Sequence, residues 1–160
     1  VQFRRGTTSQ HGSFTGAVGE ITVDTDKDTV VVHDGSQAGG FAIPNLKTAQ
    51  EFTKTQNFNA TTLSDASTIA WDASSNQVAK VTLGGNRTLG AATNQVDGAV
   101  YVLTVIQDGT GGRTLSFNSN YKFTGGTAPT LTTAASAKDV IVFLSNGTNM
   151  LEIGRSLNIS

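Results

Sequence analysis

No cysteine occurs among the 160 residues, so neither a disulfide framework nor thiolate chemistry is open to this chain. Charge is scarce: 14% of residues are charged, against a usual quarter, and the formal net charge is -1. No basic field gathers nucleic acid, and no polybasic stretch holds a membrane surface. Phe and Tyr are not interleaved with Lys and Arg as a single-strand binding groove requires. The longest apolar stretch, Val100 to Ile106, is broken by Thr104 and too short to span a bilayer. No apolar run follows Arg4-Arg5, so no secretory signal is read. The reading is of a chain that folds in the cytoplasm and carries no cofactor.

The missing charge is replaced by Thr, Ser, Asn, Gln and glycine. Eighteen glycines against two prolines indicate tight turns rather than stiff linkers. Thr and Val suit pleated surfaces, and Asn, Asp and Gly suit the turns between them. Composition therefore leans towards an all-β chain.

Three segments follow along the chain. In residues 1–43, Gln2 to Arg5 reads as a short strand. A hairpin is predicted next: Glu20-Ile21-Thr22-Val23-Asp24 alternates, Thr25 to Asp28 has turn chemistry, and Thr29-Val30-Val31-Val32-His33 returns. Val30, Val31 and Val32 place apolar groups on both faces of one strand. A segment this small cannot cover both, and another copy of the chain is the natural cover. Residues 44–63 read as a linker with at most one short helix through Leu46, Ala49 and Phe52. Residues 64–160 read as a β-domain with strands at Thr68–Asp72, Gln77–Leu83, Arg87–Leu89, Ala99–Gln107, Thr114–Asn118, Asp139–Ser145 and Asn149–Ile153. Two hairpins are expected there, Val100–Ile106 with Thr114–Phe117 and Val140–Leu144 with Met150–Ile153. This spacing points to a sandwich or jelly roll.

Catalytic patterns are thin. His33 ends a predicted strand and reads as a surface or interface residue. Asp24, Asp26 and Asp28 have the spacing of a calcium loop, but Thr29 and Gly35 stand where its glycine and bidentate glutamate are needed, so a hairpin turn is the better account and no metal site is expected. The loop Asp108-Gly109-Thr110-Gly111-Gly112 opens no helix and so lacks a phosphate cradle. Asp65, Asp72, Asp97, Asp108 and Asp139 could pair for glycoside hydrolysis, yet most lie in predicted turns. Trp71 lies between strand residues, where a core role is the commoner one. With Tyr101 and Tyr121 it is also a candidate surface for stacking on a sugar ring.

Arg4-Arg5-Gly6-Thr7, then Gly19-Glu20-Ile21, Asp24-Thr25, Val32-His33-Asp34-Gly35 and Gly39-Gly40 together resemble the N-terminal module of phage tail-fibre and tropism-determinant proteins. Ile69-Ala70-Trp71-Asp72, Leu83-Gly84-Gly85-Asn86-Arg87-Thr88-Leu89 and Tyr101 to Gly111 resemble a module of phage fibre and virion surface proteins. The resemblance implies an intertwined trimeric β-prism at the N-terminus, followed by the β-sandwich or jelly-roll-like domain. It implies a non-enzymatic virion component, a short trimeric tail fibre or a capsid-decoration protein. Its partners would be two further copies, other phage structural proteins and a host surface glycan, and its release would be by lysis. The trimer and docking interface is expected at Phe3, Arg4, Arg5, Val30, Val31, Val32 and Phe41. The alternatives are a carbohydrate-binding adhesin domain and, less favoured, a polysaccharide depolymerase.

Overall fold

The computed structural model describes residues 2–44, 54–75 and 77–159. The chain divides into two compact units, Val1–Gln56 and Asn57–Ser160. The helix expected around Leu46 to Phe52 lies outside the described residues.

In the first unit, strands β1 (Arg4–Gly6), β2 (Ile21–Asp24), β3 (Thr29–Val32) and β4 (Phe41–Ala42) form one sheet in chain order. The expected hairpin is present, with Ile21 opposite Val32 and Asp24 opposite Thr29. Its turn is held by Asp24, whose Oδ1 accepts from the backbone N–H groups of Asp26 (3.0 Å) and Lys27 (3.3 Å). The Asp24-x-Asp26-x-Asp28 spacing is thus turn chemistry. A short helix, α1 (Thr8–Gly12), was not foreseen. It starts on a capping box in which Thr7 Oγ1 accepts from Gln10 N–H and Gln10 Oε1 accepts from Thr7 N–H.

One face of this sheet is covered within its own unit. Thr22, Asp24, Thr29, Val31 and His33 are buried there. At its centre runs a hydrogen-bonded row: His11 Nδ1 to Thr7 O (3.0 Å), His11 Nε2 to Thr22 Oγ1 (2.8 Å), Thr22 Oγ1 to His33 Nε2 (2.9 Å), and Gly16 N–H to His33 Nδ1 (3.3 Å). Donor polarity assigns the protons along this row. Gly16 can only donate, so His33 Nδ1 accepts and its Nε2–H donates to Thr22. The Thr22 hydroxyl then donates to His11 Nε2, and His11 Nδ1–H donates to Thr7. A Cβ at residue 16 would stand 2.5 Å from the His33 ring, so only glycine brings this N–H into reach. His33 is thus an interior residue of its unit rather than the surface or interface residue its strand-end position suggested.

The second unit holds two sheets. The larger is built from β5 (Thr61–Thr62), β7 (Val78–Leu83), β9 (Val100–Gln107), β11 (Tyr121–Lys122), β12 (Lys138–Ser145) and β13 (Met150–Ile159), in the order β11-β13-β12-β9-β7-β5. The smaller is β10 (Leu115–Phe117), β8 (Arg87–Leu89) and β6 (Thr68–Ile69), in that order. Register sets Ile141 beside Leu103 and Phe143 beside Tyr101, and Leu103 beside Ala79. These inward residues, with Ile69, Leu89 and Leu115 of the smaller sheet, make one apolar cluster. The molecule is mostly β, as composition indicated.

The β12–β13 hairpin pairs as expected, with Ser145 opposite Met150 and Phe143 opposite Glu152. The other expected hairpin does not form. β9 lies between β12 and β7, and β10 instead pairs in parallel with β8, with Leu115 opposite Arg87. The glycine-rich loop carries the chain away from β9. Gly111, at φ +73°, lies so close to the backbone that a Cβ would meet Thr133 O at 2.5 Å. Asp108 ties this loop by accepting from the N–H groups of Thr110 and Gly111. Part of the expected linker is also sheet, since Thr61–Thr62 pairs in parallel with β7.

Candidate interaction surfaces

The second face of the first unit's sheet is bare. Period-two alternation puts Val30 and Val32 opposite to buried Val31, and both are exposed. Register aligns Ile21, Val32 and Phe41 in one cross-strand row, with Val23 beside Val30 in the next. The Ile43 N–H donates to Val30 O (2.8 Å) and extends the second row. Phe41 is 57% exposed, Phe3 56% and Ile43 50%. A row of large aliphatic and aromatic groups left in water on one face is the mark of an interaction surface.

The expected interface residues therefore separate. Phe3, Val30, Val32 and Phe41 are exposed apolar groups. Val31 belongs to the interior of its own unit, because the strand alternates. Arg4 pairs with Glu20 (3.2 Å), and its guanidinium lies 4.7 Å from the Phe14 ring centre. Arg5 is exposed and stands opposite Val23. Ile21 and Ile43 complete the bare face, and the alternation of Ile21 with Val23 was the signal available for the first.

The sugar-stacking candidates are core residues. Trp71 and Tyr101 are each 1% exposed and Tyr121 is buried. Trp71 meets Tyr101 edge-on at 6.0 Å, and Tyr121 packs against Phe117 and Phe143. The Tyr101 hydroxyl accepts from Val96 N–H and the Tyr121 hydroxyl donates to Gly90 O. Burial pushes the Tyr121 hydroxyl pKa far up, so it stays protonated as that donor. Rings so enclosed offer no face for a sugar to stack on.

Four of the five carboxylates considered for hydrolysis, Asp65, Asp72, Asp108 and Asp139, hold local structure instead. Asp65 receives two hydrogen bonds of 2.7 Å from Arg87, and Asp108 receives Arg113 at 2.8 and 3.1 Å. Asp72 receives Asn94, the Ser74 hydroxyl and the Ser74 N–H. Buried Asp139 receives the Thr132 N–H and hydroxyl and the Asn158 N–H. Arg87 holds Asp65, Arg113 holds Asp108, and Asn94 holds Asp72 below the ordinary carboxyl range. A glycosidase acid needs the opposite displacement. Among the described residues, no three His, Asp or Glu side chains gather as a metal site.

Known proteins match this chain over nearly its whole length. Residues 1–37 match the family described as the major tropism determinant N-terminal domain, and residues 42–150 match a putative phage tail fibre C-terminal domain. The tail fiber receptor-binding protein of Bordetella phage BPP-1 is 42% identical over 139 residues, covering 80% of this chain. The chain spans 35% of that relative's length. Among solved structures, the major tropism determinant I1 variant is 71% identical over 28% of this chain and 12% of its own, with a TM-score of 0.28. The U1 variant is 30% identical over 95% of this chain and 42% of its own, with a TM-score of 0.31. The tail-fibre match takes in well over half of the residues and follows directly on the tropism-determinant match, so this chain belongs to the phage tail-fibre family, with a tropism-determinant type of N-terminal module.

Proposed function

We propose that the chain is a subunit of a phage tail fibre that assembles as a homotrimer and serves attachment of the virion to its host. The observation that carries this is the bare apolar face of the β1–β4 sheet. Val30, Val32, Phe41 and Ile43 stay exposed in a unit whose only buried hydrophobic side chain, among the described residues, is Val31. In a β-prism of the kind the N-terminal module implies, three copies would turn these faces towards one another. Each large apolar side chain so covered contributes about 1.5–3 kcal/mol. A few per chain offset the ordering of a small sheet that has little interior of its own.

The second unit, with its closed apolar core, needs no such cover and is the part suited to project from the particle. Host attachment is carried over from the printed description of the BPP-1 relative, of which this chain spans only a part. Tail proteins are the expected neighbours within the virion.

Light scattering over a concentration series tests the assembly. A mass near three times 16.6 kDa is expected, and a stable folded monomer would reject it. Fab fragments raised against the chain test the role: they should label the tail in electron micrographs and block adsorption of particles to cells. Labelling of the head, or unimpaired adsorption by fully decorated particles, would refute the attachment reading.

A further inference from the structure

The second unit carries a cleft that neither its core nor its family membership explains. It has a volume of about 660 Å³ and opens beside the start of β9. Phe58 and Val96 line it, and each is 62% exposed. Isolated exposed apolar residues need no explanation, but two of the unit's most exposed large hydrophobic groups share one concavity. Tyr101 borders it as well, but is 1% exposed and offers no stacking face.

The polar lining is distinctive in kind. Asn57, Asn59, Ser75 and Gln77 contribute amides and a hydroxyl, and no Asp, Glu, Lys or Arg among the described residues lines the cleft. Gln77 Nε2 donates to Val100 O (3.0 Å), and Asn57 Nδ2 donates to Asn59 Oδ1 (3.3 Å). These bonds orient the three amide groups and leave Gln77 Oε1, Asn57 Oδ1 and Asn59 Nδ2 without a protein partner among the described residues. Acceptors, donors and a hydroxyl thus sit beside an accessible aromatic ring, in a site with no formal charge.

We infer that this cleft binds an uncharged oligosaccharide, with the Phe58 ring against the C–H face of a sugar and the amides of Asn57, Asn59 and Gln77 on its hydroxyl groups. A sugar ring offers weakly polarised C–H groups on one face, which suit the negative face of an aromatic ring. Its hydroxyls both donate and accept, as amides do. An anionic sugar would find no cation here to offset its desolvation. The inference rests on the host-attachment reading and names the ligand chemistry that reading leaves open.

Trp71 supplies the reporter. It is the chain's single tryptophan, so its indole N–H gives one NMR signal, and its ring lies 6.0 Å from Tyr101. The full ¹⁵N-labelled chain is titrated with neutral tri- to hexasaccharides of gluco, galacto, manno and N-acetylhexosamine type, and with sialylated and uronate-bearing counterparts. At least one neutral oligosaccharide should move the Trp71 signal saturably, with the charged counterparts binding more weakly. Phe58→Ala should raise that Kd about tenfold or more and leave the melting temperature unchanged, since the ring is exposed. Asn59→Ala should weaken binding less. The proposal is overturned if no neutral oligosaccharide binds, if binding ignores Phe58→Ala, or if Phe58→Ala alters the solution mass, which would make the cleft a contact between copies. Adsorption still blocked by the Fab fragments would show that the ligand class, and not host attachment, had failed.

Discussion

The two units solve the problem of stability in opposite ways. The second closes an apolar cluster that holds, among the described residues, eighteen buried side chains. The first has, among the described residues, one buried hydrophobic residue, Val31, and its interior is a row of polar groups from Thr7 through His11, Thr22 and His33 to Gly16. Its larger apolar groups face outward. A hydrogen-bonded interior specifies geometry but contributes little net free energy, about 0.5–1.5 kcal/mol per bond. In the proposed trimer the first unit draws its stability from the copies that cover its outer face, whereas the second has an apolar core of its own. The chain also provides separate reporters: Trp71 lies in the second unit, and both histidines lie in the first.

The largest effect is expected in the second unit's core. Phe143, fully buried, touches Tyr121 and Phe123. Phe143→Ala should cost about 3–5 kcal/mol, read as an earlier denaturant midpoint in Trp71 fluorescence. The imidazole NMR signals should keep their own midpoint. If they move with Trp71, the two units unfold as one and the comparison fails. In the first unit, Val32→Asp and Val31→Asp separate cover from interior. Val32→Asp places a charge on the bare face and should reduce the mass to that of one chain. Val31→Asp buries an unpaired charge and should remove the native imidazole signals as well. A trimer that survives Val32→Asp with unchanged melting would move the interface elsewhere. A smaller effect is expected from Thr22→Val, which leaves His11 Nε2 and His33 Nε2 unpartnered. It should cost about 1–3 kcal/mol, visible only in the first unit's transition.

Local patterns were legible where one principle acted alone. The alternation from Glu20 to His33 gave the β2–β3 hairpin, and the two short apolar runs Val140–Leu144 and Met150–Ile153 gave the β12–β13 pair. Residues 87–89 were read as a strand and are one. Long-range pairing was not legible. Nothing in Thr114 to Phe117 says that it joins β8 in parallel rather than folding back on β9, because strand alternation does not encode partners. The helix at Thr8 was missed although Thr7 and Gln10 have capping-box spacing, since five residues carry no helical period. Trp71, Tyr101 and Tyr121 show why aromatic type alone does not place a site: the same amphipathic ring serves a core or a surface. Phe58, in a stretch without periodicity, gave no signal in the sequence at all.

The smallest expected effect concerns acid. Arg87 donates to both oxygens of Asp65, and the Gly84 N–H adds a third bond at 3.2 Å. The Arg87 bonds foremost, against the opposing pull of desolvation, hold the Asp65 pKa below its ordinary range. The folded value is thus lower than the unfolded one. The pair's stabilisation is complete above about pH 4, where the unfolded carboxyl is ionised, and is lost as pH falls through the folded value. Arg87→Met should raise the acid midpoint of the Trp71 transition and leave the imidazole transition of the first unit where it was. The side chains of both partners are partly exposed, so the displacement should be small and should shrink in high salt. An unchanged midpoint would mean that the backbone N–H of Gly84 suffices to keep Asp65 ionised in the fold.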